Sequence, residues 1–153
     1  MEAAFTIRRL LPGDEAALSA CTASAHLFEH DPSCGTVETP VDAAGAQAFL
    51  ADPSVLFWVA EAEGRIIGML HCYVQRRRTV GPWAELLLYE IGAELGWRRQ
   101  GLGRALLAAM EMWMTEHGVD DVWVPSATTA VAFYAACGFA PSEGVFMAKQ
   151  FLG

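Results

Sequence analysis

GWRRQGLGRALLAAMEMW, residues 96–113, decides how the chain is read. Leu102, Leu106, Ala109, Met110 and Trp113 recur at helical spacing, so a helix begins near residue 102 and runs to Gly118. Three of the chain's arginines, Arg98, Arg99 and Arg104, crowd the start of that helix. A helix start carries unpaired N–H groups and the positive end of the macrodipole, so it favours acids or an anionic ligand and mildly disfavours cations. Arginines placed there point to an anion that arrives as a ligand. Gly101 and Gly103, having no side chains, let an oxygen come within hydrogen-bonding distance of the backbone amides. The arginines add charge-assisted bonds. The segment therefore predicts a phosphate or diphosphate site, and the competing reading is a glycine turn with solvated arginines.

The flanks place this loop in a strand–helix–strand crossover. AELLLYEIG (84–92) reads as a strand, VDDVWV (119–124) as another, and their connection predicts a parallel, right-handed unit. Upstream, VLFWVAEAEGRIIGMLHCYVQ (55–75) reads as a hairpin turning at Glu63-Gly64. FTIRRL (5–10) is a first strand, Asp14 caps a helix running to His30, and 41–52 is a short helix that Pro53 ends. Downstream, Thr128 or Thr129 caps a helix that Gly138 stops, and GVFMAKQF (144–151) reads as a final strand. The order is β-α-α-β-β-β-α-β-α-β, an α/β fold with a mixed sheet in a single domain.

Composition narrows the function. The chain has 153 residues, a formal charge of -8 and 54% hydrophobic residues, which excludes general disorder. No apolar run reaches the roughly 18–20 residues of a membrane helix, and no secretory signal is read, so the expectation is a cytoplasmic protein without membrane partners. Cys21, Cys34, Cys72 and Cys137 lie far apart and form no metal-ligand spacing with the histidines, so reduced thiols and no metal are expected. The acidic balance argues against nucleic acid and suits cationic small molecules.

Among phosphate loops, the P-loop requires a lysine that is missing here, since Lys149 is the chain's only one, and the dinucleotide fingerprint requires a third glycine. Arg98-x-x-Gly101-x-Gly103 instead resembles the acetyl-coenzyme A signature Gln/Arg-x-x-Gly-x-Gly/Ala of the GNAT acetyltransferase superfamily. AVAFYAACGF (130–139) is similar to that family's A-x-x-F-Y-x-x-x-G-F element, and it follows in the expected order. The resemblance covers roughly residues 55–151. Within the superfamily, ELLLYEIG and WRRQGLGRALL look most like aminoglycoside 3-N-acetyltransferases. One position departs: Ala127 stands where the family often has Asn.

The resemblance implies one N-acetyltransferase domain over 1–153, moving an acetyl group from acetyl-coenzyme A to a primary amine of a small, cationic molecule. It implies cofactor contacts at Arg98, Arg99, Gln100, Gly101, Leu102, Gly103 and Arg104. It also implies pairing of the pantetheine arm with the main chain at Ile91, Gly92 and Ala93, with Gly92 permitting a bulge. Tyr134 is implied as the acid for the leaving thiolate. Glu90 is the candidate base, in an apolar strand where burial would raise its pKa, with Glu85 and His71 as alternatives. Arg76, Arg77 and Arg78 read as a solvated loop, and Trp58, Trp83 and Trp123 as core or substrate-wall residues. Relatives are often homodimers. The alternative function is a catalytically silent acyl-coenzyme A-binding module.

Overall fold

The structure, a computed structural model, describes residues 4–28 and 37–151. The chain forms two compact units, Met1–Trp123 and Val124–Gly153. The first unit holds β1 (Thr6–Arg9), α1 (Glu15–Ser24), α2 (Ala43–Ala51), β2 (Val55–Ala62), β3 (Arg65–Arg76), β4 (Ala84–Ala93), α3 (Leu102–His117) and β5 (Val122–Trp123). Its sheet runs in the order β1-β2-β3-β4-β5. All pairs are antiparallel except β4 with β5, which is parallel as the crossover predicts.

Local chemistry accounts for these elements. The β2–β3 hairpin turns where expected, with Glu63 and Gly64 both left-handed (φ 55° and 74°), the geometry of a primed two-residue turn. Asp42 caps α2 by accepting from the Gly45 N–H at 2.7 Å. Helix α1 is shorter than the sequence suggested: a 3₁₀ turn, Ala25–Phe28, takes over, and the remainder of the expected helix lies outside the described residues, as does Cys34. Asp14 precedes α1 without capping it. Its carboxylate turns back to accept from the Leu11 N–H at 2.8 Å and from Arg8 at 3.1 Å.

Along β3 the side chains alternate between faces. Met69 joins the core that Leu18, Cys21, Phe28 and Leu50 build from the α1–α2 side with Val55, Phe57 and Val59 of β2. Cys72 faces the other way, 3.7 Å from the sulfur of Met110 in α3. Leu102, Leu106 and Met110 of α3 are fully buried on that side.

The second unit differs from expectation in two places. Thr128 and Thr129 do not cap a helix by their side chains. They form a 3₁₀ turn, Thr128–Ala130, ahead of α4 (Val131–Ala136), and the chain leaves α4 through Gly138 at φ 92°. The strand read over 144–151 does not form, and Val145, Phe146, Met147 and Phe151 are exposed. Composition supplies a strand's side chains, but only a paired edge makes the ladder. Likewise only Val122–Trp123 of the expected 119–124 strand pairs. Among the described residues no helix is long and apolar enough to cross a membrane, and no group of three or more His, Cys, Asp or Glu is placed to hold a metal.

Two glycines thin the sheet at one corner. A Cβ on Gly68 would lie 2.7 Å from Leu102 Cδ2 and 2.8 Å from the Gly92 carbonyl oxygen, and a Cβ on Gly92 would lie 2.7 Å from Phe28 Cβ. Gly68→Ala is expected to lower stability by about 1–3 kcal/mol, because its contact includes backbone that cannot rotate away. A urea unfolding midpoint equal to wild type would show that α3 does not depend on this approach.

Candidate functional site

The corner made by Gly68 and Gly92 is where β4 ends and the arginine loop begins. Arg98 ties it together: Nε donates to the Ala93 carbonyl at 3.2 Å and a guanidinium NH₂ donates to the Phe28 carbonyl at 2.8 Å. These donors hold β4, the 3₁₀ turn after α1 and the loop in one arrangement. Gln100 donates to the Gly96 carbonyl at 3.0 Å. Arg99 and Arg104 are exposed.

The loop backbone is unusual at two residues. Arg99 (φ 64°) and Gly101 (φ 80°) are left-handed, which for arginine costs roughly 1–2 kcal/mol. Turns of this kind aim successive amides into one concavity. Gly101 precedes α3 with no side-chain cap, and the first bond of the helix runs from Ala105 N–H to the Gly101 carbonyl at 2.9 Å. The amides of Leu102, Gly103 and Arg104 therefore precede the helical ladder and face outward as donors. Buried Leu102 pins this start to the sheet through the space left by Gly68.

Strand β4 changes character along its length. Its ladder with β5 stops after Leu86↔Val122 and Leu87↔Trp123, whereas its ladder with β3 continues to Ala93. Among the described residues, the edge from Leu88 to Ala93 that faces away from β3 has no strand partner. The expected bulge exists, but at a different place. The register passes from Cys72↔Leu88 to His71↔Glu90, so Tyr89 is the extra residue. Gly92 serves the close approach of Phe28 instead.

Glu90 follows the bulge directly, opposite His71. It is exposed, so the burial that made it a candidate base is not there; the bulge ends the buried alternation of Ala84, Leu86 and Leu88. Its charge reaches the α1 side of the sheet, where it adds to burial in pushing the Cys21 thiol up to about 12. Glu85 lies near the other end of β4, five residues and about 16 Å away. It pairs with Arg77 at 3.4 Å, and Arg77 also holds Asp121 at 2.8 Å. Arg76 lies over Trp83, so two members of the basic triplet have protein partners. Trp58 is buried, while Trp83 and Trp123 are partly exposed and donate to the His117 carbonyl and to Gln75.

His71, the other alternative base, faces the α1–α2 side of the sheet. It is 6% exposed, its Nε2 is buried without a hydrogen-bond partner, and burial pulls its pKa down to about 4. Tyr134 sits on α4 in the second unit, its ring 5.3 Å from those of Phe133 and Phe139. Its carbonyl accepts from the Cys137 and Phe139 N–H groups that close the helix. A surface hollow of about 510 Å³, lined by Glu111, Met114 and Asp120 among others, lies at the opposite end of α3 from the loop.

Residues 23–139 match the acetyltransferase (GNAT) family. The chain belongs to this family. Enzymes of the family use acetyl-coenzyme A. An aminoglycoside N(6′)-acetyltransferase type 1 of Stenotrophomonas maltophilia is 27% identical over 145 residues, covering 92% of this chain and 89% of that protein. Human N-acetyltransferase 8 is 27% identical over 96 residues, covering 61% of this chain but 42% of that protein, so the chain spans under half the length of this relative. An aminoglycoside acetyltransferase from an uncultured soil metagenomic sample, solved with trehalose, superposes with a TM-score of 0.82 at 23% identity over 98% of this chain and 97% of that one. That last likeness is one of fold.

Sequence reading missed Gly68 and Phe28, whose roles are contacts between distant segments. The break of alternation in LLLYEIG was the available signal for the bulge.

His71 makes a pH prediction. Its folded pKa, about 4, lies below the ordinary imidazole value of 6.5, so the unfolded chain binds the extra proton. The stability contributed by the neutral imidazole is complete above pH 6.5 and is lost as pH falls toward 4. The loss amounts to about 3 kcal/mol for a shift of this size. Urea midpoints measured from pH 7 to 4.5 should fall more steeply for wild type than for His71→Phe. Parallel slopes would mean that the ring is not buried in its neutral form.

Proposed function

We propose that residues 1–153 act as one N-acetyltransferase domain that moves an acetyl group from acetyl-coenzyme A to a primary amine of a cationic small molecule, with aminoglycosides as the leading class. One observation carries the reading: an uncapped helix start after left-handed Arg99 and Gly101, beside a strand that, among the described residues, has no second strand neighbour beyond Leu87. Acetyl-coenzyme A supplies an activated acyl group as its thioester. The chain's residues fit such a carrier. The amides of Leu102, Gly103 and Arg104 receive its diphosphate, and exposed Arg99 and Arg104 add charge-assisted bonds. The main chain of Ile91, Gly92 and Ala93 offers hydrogen-bonding groups to the extended amide-bearing arm. Arg98, whose guanidinium is engaged with Ala93 and Phe28, positions the loop.

Glu90 accepts the proton of the acceptor's ammonium through water, leaving a neutral amine to attack. Tyr134 gives its phenolic proton to the departing sulfur as the carbon–sulfur bond breaks, and the second proton shed by the new amide nitrogen returns through water to the phenolate. That role rests on the A-x-x-F-Y resemblance. Within an aminoglycoside, the 6′-amine is preferred to the 3-amine suggested by the loop pattern. The support is the name of the Stenotrophomonas relative, which is matched over 89% of its length. The cytoplasm is the proposed compartment, in keeping with the free thiols of Cys21 and Cys72.

Incubation with acetyl-coenzyme A and a panel of amines should release free thiol. Tight cofactor binding with no release from any amine would instead indicate a silent binding module. Gly103→Asp brings a carboxylate against the diphosphate and should weaken acetyl-coenzyme A binding at least tenfold, about 1.4 kcal/mol, by calorimetry. An unchanged affinity would place the diphosphate elsewhere. Tyr134→Phe and Glu90→Gln should each lower kcat by about 10²-fold with cofactor affinity retained. Normal single-turnover rates in either variant would remove that residue from proton transfer.

A further inference from the structure

The α1–α2 face of the sheet carries a cluster of rings that the proposed cofactor loop and the proton-transfer residues do not use. His71 is its hub. The ring centroids of Phe49, Phe57, Tyr73 and Tyr89 lie 5.3, 5.4, 4.5 and 5.1 Å from it. Tyr73 and Tyr89 meet edge to face at 5.5 Å. Phe57 and His71 are buried, Tyr73 is half-buried and Tyr89 is 59% exposed, so a dry floor rises to an exposed aromatic lip. The bulge puts Tyr89 there, immediately before Glu90.

Two carboxylates lie near the lip. Glu90 adjoins Tyr89, and the Asp52 carboxylate acts on Tyr73, adding to burial and to Tyr89 in raising the Tyr73 pKa. The ring beneath is uncharged at neutral pH, since burial holds His71 near a pKa of 4. Its buried Nε2 still wants a hydrogen-bond partner. Aromatic faces flanked by carboxylates over an uncharged floor are the surroundings that stabilise an ammonium ion.

We propose that Tyr73 and Tyr89, seated on His71 and close to Asp52, recognise a second ammonium group of the acceptor, distinct from the amine that is acetylated. The distinction follows from the chemistry. The attacking amine must be neutral, whereas an aromatic lip with carboxylates stabilises a charged one. Acceptors carrying two or more amines, such as polyamines and aminoglycosides, are thereby preferred over monoamines of the same size. This rests on the reading of the face around Glu90 as the acceptor side of an acetyltransferase.

Direct binding separates the two ideas. Spermidine, sisomicin and butylamine are titrated by calorimetry into wild type, Tyr89→Leu and Tyr89→Phe, with acetyl-coenzyme A titrated in parallel. Spermidine and sisomicin should bind wild type more tightly than butylamine. Tyr89→Leu should weaken both polyamines by about 5–30-fold, and Tyr89→Phe, which keeps the ring, by less than about threefold. Acetyl-coenzyme A affinity should be the same in all three proteins. Equal polyamine affinity in Tyr89→Leu, or no polyamine binding to wild type at millimolar concentration, overturns the proposal whether or not the cofactor binds. Tyr89-dependent polyamine binding without acetyl-coenzyme A binding upholds the platform and overturns the acetyltransferase reading instead.

Discussion

The site depends on a steric constraint: two side chains that are missing from adjacent strands. Gly68 and Gly92 lie one register step apart, Gly68 opposite Ala93 and Gly92 opposite Met69. The absent Cβ of Gly68 makes room for Leu102 on the α3 side, and that of Gly92 makes room for Phe28 on the α1 side. The sheet is thin at this corner from both faces. The helix start and the 3₁₀ turn can therefore come close enough for a single guanidinium, Arg98, to bond the carbonyls of both Ala93 and Phe28. Without the close approach, the donors at the start of α3 would have no fixed place beside the open edge of β4.

Much of this was legible in sequence, and what was legible shares a cause. The hairpin at Glu63-Gly64, the α2 helix capped by Asp42 and ended before Pro53, and α3 between Gly101 and Gly118 are set by residues within a few positions of one another. The parts that were misread are set by distant partners. Residues 144–151 have strand composition but no ladder. The bulge falls on Tyr89 because of how β3 pairs with β4, and a glycine three residues later gave no reason to move it there. Glu90 was read as buried because its neighbours are apolar, yet the same bulge leaves it exposed. Arg98 looked like an anion ligand, and most of its visible bonding goes to carbonyls from two other segments.

Strand β4 thus divides by task. Ala84, Leu86 and Leu88 anchor it in the core; Tyr89 and Glu90 face outward at the bulge; Ile91 to Ala93 keep the ladder with β3 and, among the described residues, have no strand on the other side. A strand packed and paired along its whole length would be more stable, and it would have no exposed carboxylate and no free edge. The left-handed Arg99 fits the same pattern, since glycine would relieve the strain and remove a cation from the helix start.

The charge distribution then gives the acidic chain a sense of direction. A formal charge of -8 attracts cations without regard to place, and screening confines that pull to roughly a Debye length. Local structure sorts the ligands. Arg99 and Arg104 stand at the helix start, where the macrodipole already favours an anion, while the tyrosine rings and Asp52 stand on the α1–α2 face, the proposed place of an ammonium. For the substrates proposed above, an anionic acyl donor and a cationic acceptor, each would be disfavoured at the other's position. Under the proposed function, the helix start and the aromatic lip would then keep the two substrates from exchanging places before any shape complementarity is invoked.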